Sequence, residues 1–244
     1  MAERLDSALT ARGLCSSRNR AQTLISDGHV TVNGCVCMKA SQKVTDQDEI
    51  AVTEALPFVG RGGYKLRFAL AEFRIRLDGL HCLDIGASTG GFTDCMLQNG
   101  AAHVLAVDVG HDQLAPELRA DSRVTVMEGT DLRTLPPDSD GLPAAFASCD
   151  VSFISLRQII PYLPALLTRD GTAVLLVKPQ FEAGRSALNK HGVVRDEKIR
   201  QQVLREIKDY CAQNGLLPEA ACESPIKGGS GNTEYLLYVK RIPQ

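Results

Sequence analysis

The chain has 244 residues, of which 44% are apolar and 23% charged; that is ordinary globular composition and excludes a wholly disordered or low-complexity protein. Lys and Arg number 27 against 29 Asp and Glu, a net charge of −2, so any face that attracts nucleic acid has to be local. Eight cysteines form no Cys-x-x-Cys pair, which argues against a zinc or other metal framework and for reduced thiols in a cytoplasmic protein.

The opening residues, Met1 to Asp6, have neither an apolar core nor a small-residue cleavage site, so no signal peptide is expected. Residues 1–56 read as a small α+β unit. Leu5, Ala8 and Leu9 make an apolar helical face that Gly13 stops. Ser16 or Ser17 is placed to cap a second helix, with Ala21, Leu24 and Ile25 on its apolar side and Gly28 at its end. Val30 and Val32 alternate with polar residues up to Asn33-Gly34, a strong hairpin signal, and Val36 begins the return strand. A further strand is expected over Glu49-Ile50-Ala51-Val52. Over residues 1–40 the cations Arg4, Arg12, Arg18, Arg20 and Lys39 outnumber the acids Glu3, Asp6 and Asp27. Residues 57–63, Pro-Phe-Val-Gly-Arg-Gly-Gly, read as a linker.

From residue 64 to 244 the pattern changes. Apolar strands are expected at His81–Ile85, His103–Asp108, Val124–Glu128, Ala145–Asp150, Thr172–Val177 and Tyr235–Val239. Helices are expected at Lys65–Phe73, Phe92–Asn99, Leu156–Leu167 and Glu197–Asn214. This alternation predicts an α/β fold, a mostly parallel sheet with helices on both faces. The longest strongly apolar run, Ala173 to Val177, is far below the roughly 20 residues of a spanning helix, and no membrane partner is expected.

The sharpest motif is Asp84-Ile85-Gly86-Ala87-Ser88-Thr89-Gly90-Gly91-Phe92, a strand running through a glycine turn into a helix. Its Gly-x-x-x-Gly-Gly spacing is not the dinucleotide fingerprint, and suits S-adenosylmethionine, which carries a sulfonium and no pyrophosphate. Asp108, 22 residues after Gly86, ends the next strand, where a carboxylate accepts ribose hydroxyls. Asp131 follows the third strand, in position to read the adenine amino group. Asp150 and Lys178 end two further strands and so face the crevice where open parallel sheets bind ligands. Pro179 is expected to keep the chain extended after Lys178. Glu234 precedes the last strand, and Lys65 opens a helix after Arg61-Gly62-Gly63-Tyr64.

Together these residues resemble a known family. Residues 1–56 resemble the S-four-type RNA-binding domain through Arg4-Leu5-Asp6, Arg12-Gly13-Leu14, Ser17-Arg18 and Val30-Thr31-Val32-Asn33-Gly34. Residues 64–244 look like an FtsJ-like, Rossmann-like methyltransferase. The combination, with Arg61-Gly62-Gly63-Tyr64-Lys65, Val177-Lys178-Pro179-Gln180-Phe181 and Gly231-Asn232-Thr233-Glu234, is similar to the TlyA family, whose members are often labelled haemolysin A. The resemblance implies 2′-O-methylation of cytidine in the ribosomal RNA of ribosomal subunits, with S-adenosylmethionine as methyl donor. It puts a Lys-Asp-Lys-Glu catalytic set on Lys65, Asp150, Lys178 and Glu234. The expected cofactor contacts are Asp84, Gly86, Ala87, Ser88, Thr89, Gly90, Gly91, Phe92, Asp108, Asp131 and Asp150; Asp131 stands where the family often has Asn. The expected RNA contacts are Arg4, Arg12, Arg18, Arg20 and Arg61, with Phe153 as a stacking surface for a flipped base. Lys178 is expected either to act as the base, with Lys65 as a second cation, or to stay protonated beside Asp150 and orient the hydroxyl.

Overall fold

The computed structural model describes residues 2–26, 28–52, 58–136 and 138–243. Asp27 and the expected boundary at residues 56–57 lie outside them. The chain divides into two compact units, Met1–Arg61 and Gly62–Gln244.

The smaller unit runs β1 (Glu3–Arg4), α1 (Leu5–Ala11), α2 (Arg18–Ser26), β2 (Val30–Val32), β3 (Cys35–Val36), β4 (Lys43–Val44) and β5 (Ile50–Val52). β2 lies between β3 and β5, antiparallel to both, and β1 pairs with β4. Asn33 and Gly34 both have positive φ, 52° and 80°, as a tight two-residue hairpin demands. Ser17 caps α2 by accepting the Arg20 N–H at 3.2 Å. Leu5, Leu9, Leu24, Ile25 and Val30 form the core.

The larger unit runs α3 (Gly62–Glu72), β6 (His81–Ile85), α4 (Gly91–Gln98), β7 (His103–Val107), α5 (Pro116–Arg119), β8 (Val124–Met127), β9 (Ala144–Cys149), α6 (Leu163–Leu166), β10 (Leu167–Val177), α7 (Pro179–Glu182), α8 (Glu197–Gln213), β11 (Leu216–Glu223) and β12 (Tyr235–Arg241). The seven-stranded sheet has the order β11-β12-β10-β9-β6-β7-β8, and only β12 runs against the rest. Side chains alternate between its faces. Leu83, Leu105, Ala147 and Leu175 share a core with Ile207 and Cys211 of α8. On the opposite face Asp84 accepts a hydrogen bond from Thr93 of α4.

The structure departs from expectation in four places. The helix expected over Leu156–Leu167 is broken into two 3-10 turns, Leu156–Gln158 and Ile160–Tyr162, followed by the short α6. Pro161 and Pro164 lack the N–H groups a continuous helix needs. Pro179 does not keep the chain extended; it opens α7 at the first helical position, where its missing N–H costs nothing. The edge strand β11 was not expected from its sequence, and α3 begins at Gly62, within the stretch read as linker.

Candidate active site

Strand order reverses at β6, which has β7 on one side and β9 on the other. In open α/β sheets that switch point opens a crevice at the strand ends. The glycine turn after β6 lies in it. Gly86 has φ +79°, and a Cβ there would meet the Asp150 carbonyl oxygen at 2.7 Å, so only glycine lets the two strand ends close this tightly. The crevice is a cleft of about 490 Å3, lined by Gly86, Ser88, Asp108, Asp131, Asp150 and Phe153 among others.

Asp108 is fixed by its own loop. Its Oδ2 accepts the Ser88 N–H at 2.8 Å and its Oδ1 the Gly110 N–H at 2.7 Å. Asp131 is held by Arg133, whose Nε and Nη2 donate to it at 3.0 and 2.6 Å and keep its carboxyl below the usual range. Asp84 lies behind the cleft. It is fully buried, receives hydrogen bonds from Thr93 at 2.7 Å and Ser148 at 2.9 Å, and burial pushes its pKa up to about 6. Ala87, Thr89, Gly90, Gly91 and Phe92 are likewise not among the residues lining the cleft. They shape the turn instead. Gly90, at φ +94°, packs so closely on Leu118 that a Cβ would meet it at 2.2 Å, and Phe92 is buried beside Gly62 of α3.

Two ion pairs stand at the strand ends. Lys65, on the first turn of α3, places Nζ 2.6 Å from Glu234 Oε2, across 169 residues of sequence, and both side chains are nearly buried. Lys178, at the end of β10, places Nζ 2.5 Å from Asp150 Oδ1, off the line a hydrogen bond requires, and donates to Ser152 Oγ at 2.8 Å. The pairs share neighbours. Val177 and Tyr235 are partners in the β10–β12 register, which sets Lys178 and Glu234 side by side at the sheet end. Gln180 Nε2 donates to Glu234 Oε1 at 3.3 Å. A Cβ on Gly62, three residues before Lys65, would come within 4.0 Å of Asp150 Oδ2.

Residues 58–241 match the family model described as FtsJ-like methyltransferase, and residues 3–50 match the S4 domain. A candidate rRNA methyltransferase of Bacillus subtilis, YqxC, is 46% identical over 241 residues, covering 97% of this chain and 85% of that one. The 16S/23S rRNA (cytidine-2′-O)-methyltransferase TlyA of Mycobacterium tuberculosis is 41% identical over 239 residues, covering 97% and 89%. The chain belongs to the TlyA family of FtsJ-like methyltransferases. A solved structure named as a hemolysin candidate, from Streptococcus thermophilus, matches with TM-score 0.79 and 43% identity over 100% of this chain and 90% of that one. Among the described residues no helix is long and apolar enough to cross a membrane.

Members of this family of methyltransferases use S-adenosylmethionine, and the cleft suits it chemically. Three carboxylates, of Asp108, Asp131 and Asp150, face a space of small-molecule size. That acceptor set suits a ligand with an ammonium and hydroxyls, although Arg133 and Lys178 offset the charge of Asp131 and Asp150. Among the described residues no three His, Cys, Asp or Glu side chains cluster as a metal site.

In the TlyA-family S4 unit the expected RNA contacts are not equally available. Arg4 and Arg18 both turn onto Asp6, at 2.8 and 3.0 Å, although each stays partly exposed. Asp6 sits on the buried face of α1, and Arg4 above all holds its carboxyl far below the usual range. Arg12 donates to the carbonyls of Thr45 and Asp48, both at 2.8 Å. Arg20 is half-buried and Arg61 is exposed. Phe153 is 92% exposed and stands 5.1 Å from the Phe181 ring.

Sequence reasoning missed three residues that hold the ion pairs: Ser152, Gln180 and Gly228. A Cβ on Gly228 would sit 1.9 Å from Glu234 Oε1, so this glycine leaves the space the carboxylate fills. Ser152 and Gln180 each follow a strand-end charge by two residues, and that spacing was the available signal.

Proposed function

We propose that the protein transfers a methyl group to the 2′-hydroxyl of cytidine in the ribosomal RNA of assembled ribosomal subunits, in the cytoplasm, using Lys65, Asp150, Lys178 and Glu234. In this reading residues 1–56 bind RNA, 57–63 join the units and 64–244 carry the chemistry. The observation that carries it is the pair of Lys–carboxylate contacts at the sheet end, one of them made by the cleft-lining Asp150, in a family whose member TlyA of Mycobacterium tuberculosis is named for this reaction.

S-adenosylmethionine supplies an already activated, electrophilic methyl group, so the chain's task is positioning and proton management. Asp108 would meet the ribose hydroxyls of the cofactor, Asp131 its adenine and Asp150 its amino end, while the turn 86–92, backed by Asp84, would shape the floor. Lys178 has three N–H donors. One goes to Ser152 and one faces Asp150, which leaves one for the RNA hydroxyl. Lys178 therefore works as a cation that turns a lone pair of the hydroxyl toward the methyl carbon. As the C–O bond forms the hydroxyl proton becomes strongly acidic. Glu234 Oε1, whose one hydrogen bond among the described residues is the 3.3 Å contact from Gln180, accepts it, while Lys65 fixes Oε2. Phe153 offers its exposed ring to the flipped base.

The deciding experiment incubates purified protein with S-adenosylmethionine and unmodified ribosomal subunits and maps ribose methylation by mass spectrometry. A new 2′-O-methylcytidine, lost in Lys178→Met and partly kept in Lys178→Arg, is the expected result. No methylated cytidine, or Lys178→Met turnover within threefold of the unaltered protein, overturns the reading.

A further inference from the structure

A second recess of the larger unit, about 390 Å3, is lined by Asn189, His191, Arg195, Arg200, Ser230 and Thr233 among others, and no carboxylate among the described residues lines it. Residues 185–200 carry five Lys and Arg against two acids, Asp196 and Glu197. Asp196 is engaged as the cap of α8, accepting the Lys198 N–H at 2.8 Å. Arg200 is fixed by neutral partners. Its Nη1 donates to the carbonyls of Val194 and Arg195 at 3.2 and 2.6 Å, and its Nε is buried with no acceptor among the described residues. A guanidinium held this way keeps its charge uncancelled, and its fork suits an anion with several oxygens.

The recess is joined to the catalytic carboxylate. Asn232 accepts the Val194 N–H at 3.2 Å and donates to the Gly192 carbonyl at 3.1 Å, which pins one wall to the loop before β12. The next residue, Thr233, lines the recess, and the one after it is Glu234. Consecutive Cα atoms are about 3.8 Å apart, so the recess begins one residue from the carboxylate that pairs with Lys65. In RNA the 2′-oxygen and the 3′-phosphate sit on adjacent ribose carbons. A site that holds the former beside Glu234 brings a phosphate within a few ångströms of it.

We propose that this recess binds a backbone phosphate of the RNA strand next to the methylated nucleoside. The inference rests on the RNA reading above and extends it to a site on the catalytic unit. Arg195 and Arg200 supply the charge, and the His191 and Asn189 side chains line the opening. Such a contact gives affinity and register, and no base selectivity.

The test measures binding of unmodified ribosomal subunits across a series of KCl concentrations, for the unaltered protein, Arg195→Gln and His191→Gln. Arg195 is exposed and lies outside both ion pairs, so the fold and S-adenosylmethionine affinity stay unchanged. Arg195→Gln is expected to weaken RNA binding about 3- to 10-fold at low salt and to flatten the slope of log K against log salt by about 1, with turnover at saturating RNA unaltered. His191→Gln gives a smaller change in the same direction. Unchanged slopes in both variants overturn the proposal, including when inorganic phosphate alone is found to bind there. Methylation with no slope change refutes the recess alone. A slope change without any methylation leaves the recess standing and refutes the methyl-transfer reading.

Discussion

Replacing Gly228 by alanine tests whether the placement of Glu234 sets turnover. The added methyl would stand 1.9 Å from Oε1 and 2.3 Å from Cδ of Glu234. Gly228 has no positive φ, so its backbone accepts alanine and the whole conflict falls on the carboxylate. Glu234 is 2% exposed and clamped by Lys65 at 2.6 Å and Gln180 at 3.3 Å, so it cannot swing into water. It has to retreat by about 1 Å, and misplacement of that size costs about 100-fold in rate. Overpacking adds about 2 kcal/mol of destabilisation, a fall of about 4–8 °C in Tm for a unit this large. The assay is single-turnover methyl transfer to ribosomal subunits, with S-adenosylmethionine and RNA affinities measured separately. Gly184→Ala is the control. Gly184 has φ +75° with open space around it, so it brings backbone strain away from the site, and lowers Tm without slowing transfer. Gly228→Ala turnover within threefold of the unaltered protein, with Tm lowered as expected, refutes the placement argument.

Ser152→Ala removes the 2.8 Å acceptor of Lys178 but keeps the ion pair; turnover should fall about 10-fold, the worth of one charge-assisted hydrogen bond, with S-adenosylmethionine affinity within twofold. A loss of Tm alone would mean Ser152 only supports the fold. Asp6→Asn leaves Arg4 and Arg18 without their carboxylate and should destabilise the smaller unit by about 2 kcal/mol, less than a sealed pair because both arginines rehydrate. Asp6 has its pKa lowered in the folded unit, so its contribution is full above about pH 4 and fades as pH falls below; hydrogen exchange at pH 3 and 6 should show a smaller acid loss in Asp6→Asn. Asp84 has the opposite sign. Its pKa is raised to about 6, so between about pH 4 and 6 the folded chain holds a proton that the unfolded chain has lost, and stability falls as pH rises through that window. Urea unfolding at pH 4.5 and 7 should show a fall of about 2 kcal/mol that Asp84→Asn abolishes; equal slopes in both proteins would contradict it.

The central strands were legible because β6, β7, β9 and the Ala173–Val177 part of β10 are short apolar runs, each followed by a charge or a glycine turn; the polar first half of β10, with Arg169 and Asp170, was not. β11 was not, since Leu216-Leu217-Pro218-Glu219-Ala220 carries a proline and no β-branched residue. It survives at the sheet edge, where the register shifts between Pro218 and Ala220 and the missing N–H breaks no central ladder. Strand ends also explain why Asp150 and Lys178 stood out: a charge directly after a buried strand has few other places to point. Lys65 and Glu234 gave no such local signal; the family resemblance singled them out, and the fold brings them within 2.6 Å. The charge balance of the first 40 residues was less informative than it looked. Asp6 counts as one acid among several in the sequence, yet it lies on the buried side of α1 and engages two of the arginines expected to meet RNA. Gly228 acts through a tertiary contact that spacing does not encode, and the spacing of Ser152 and Gln180 after a strand-end charge does not name their partners.

The reversed direction of β12 has a consequence for how the protein matures. Because this strand runs opposite to its neighbours, the acid that pairs with Lys65 is delivered at its beginning, and the strand, threaded between β10 and β11, brings that acid to the sheet end. A half-made chain still emerging from the ribosome that synthesises it has every other part of the centre before it gains this one. Of the two strand-end ion pairs, Lys65–Glu234 is therefore the later to be completed, because β12 follows β10 in the chain.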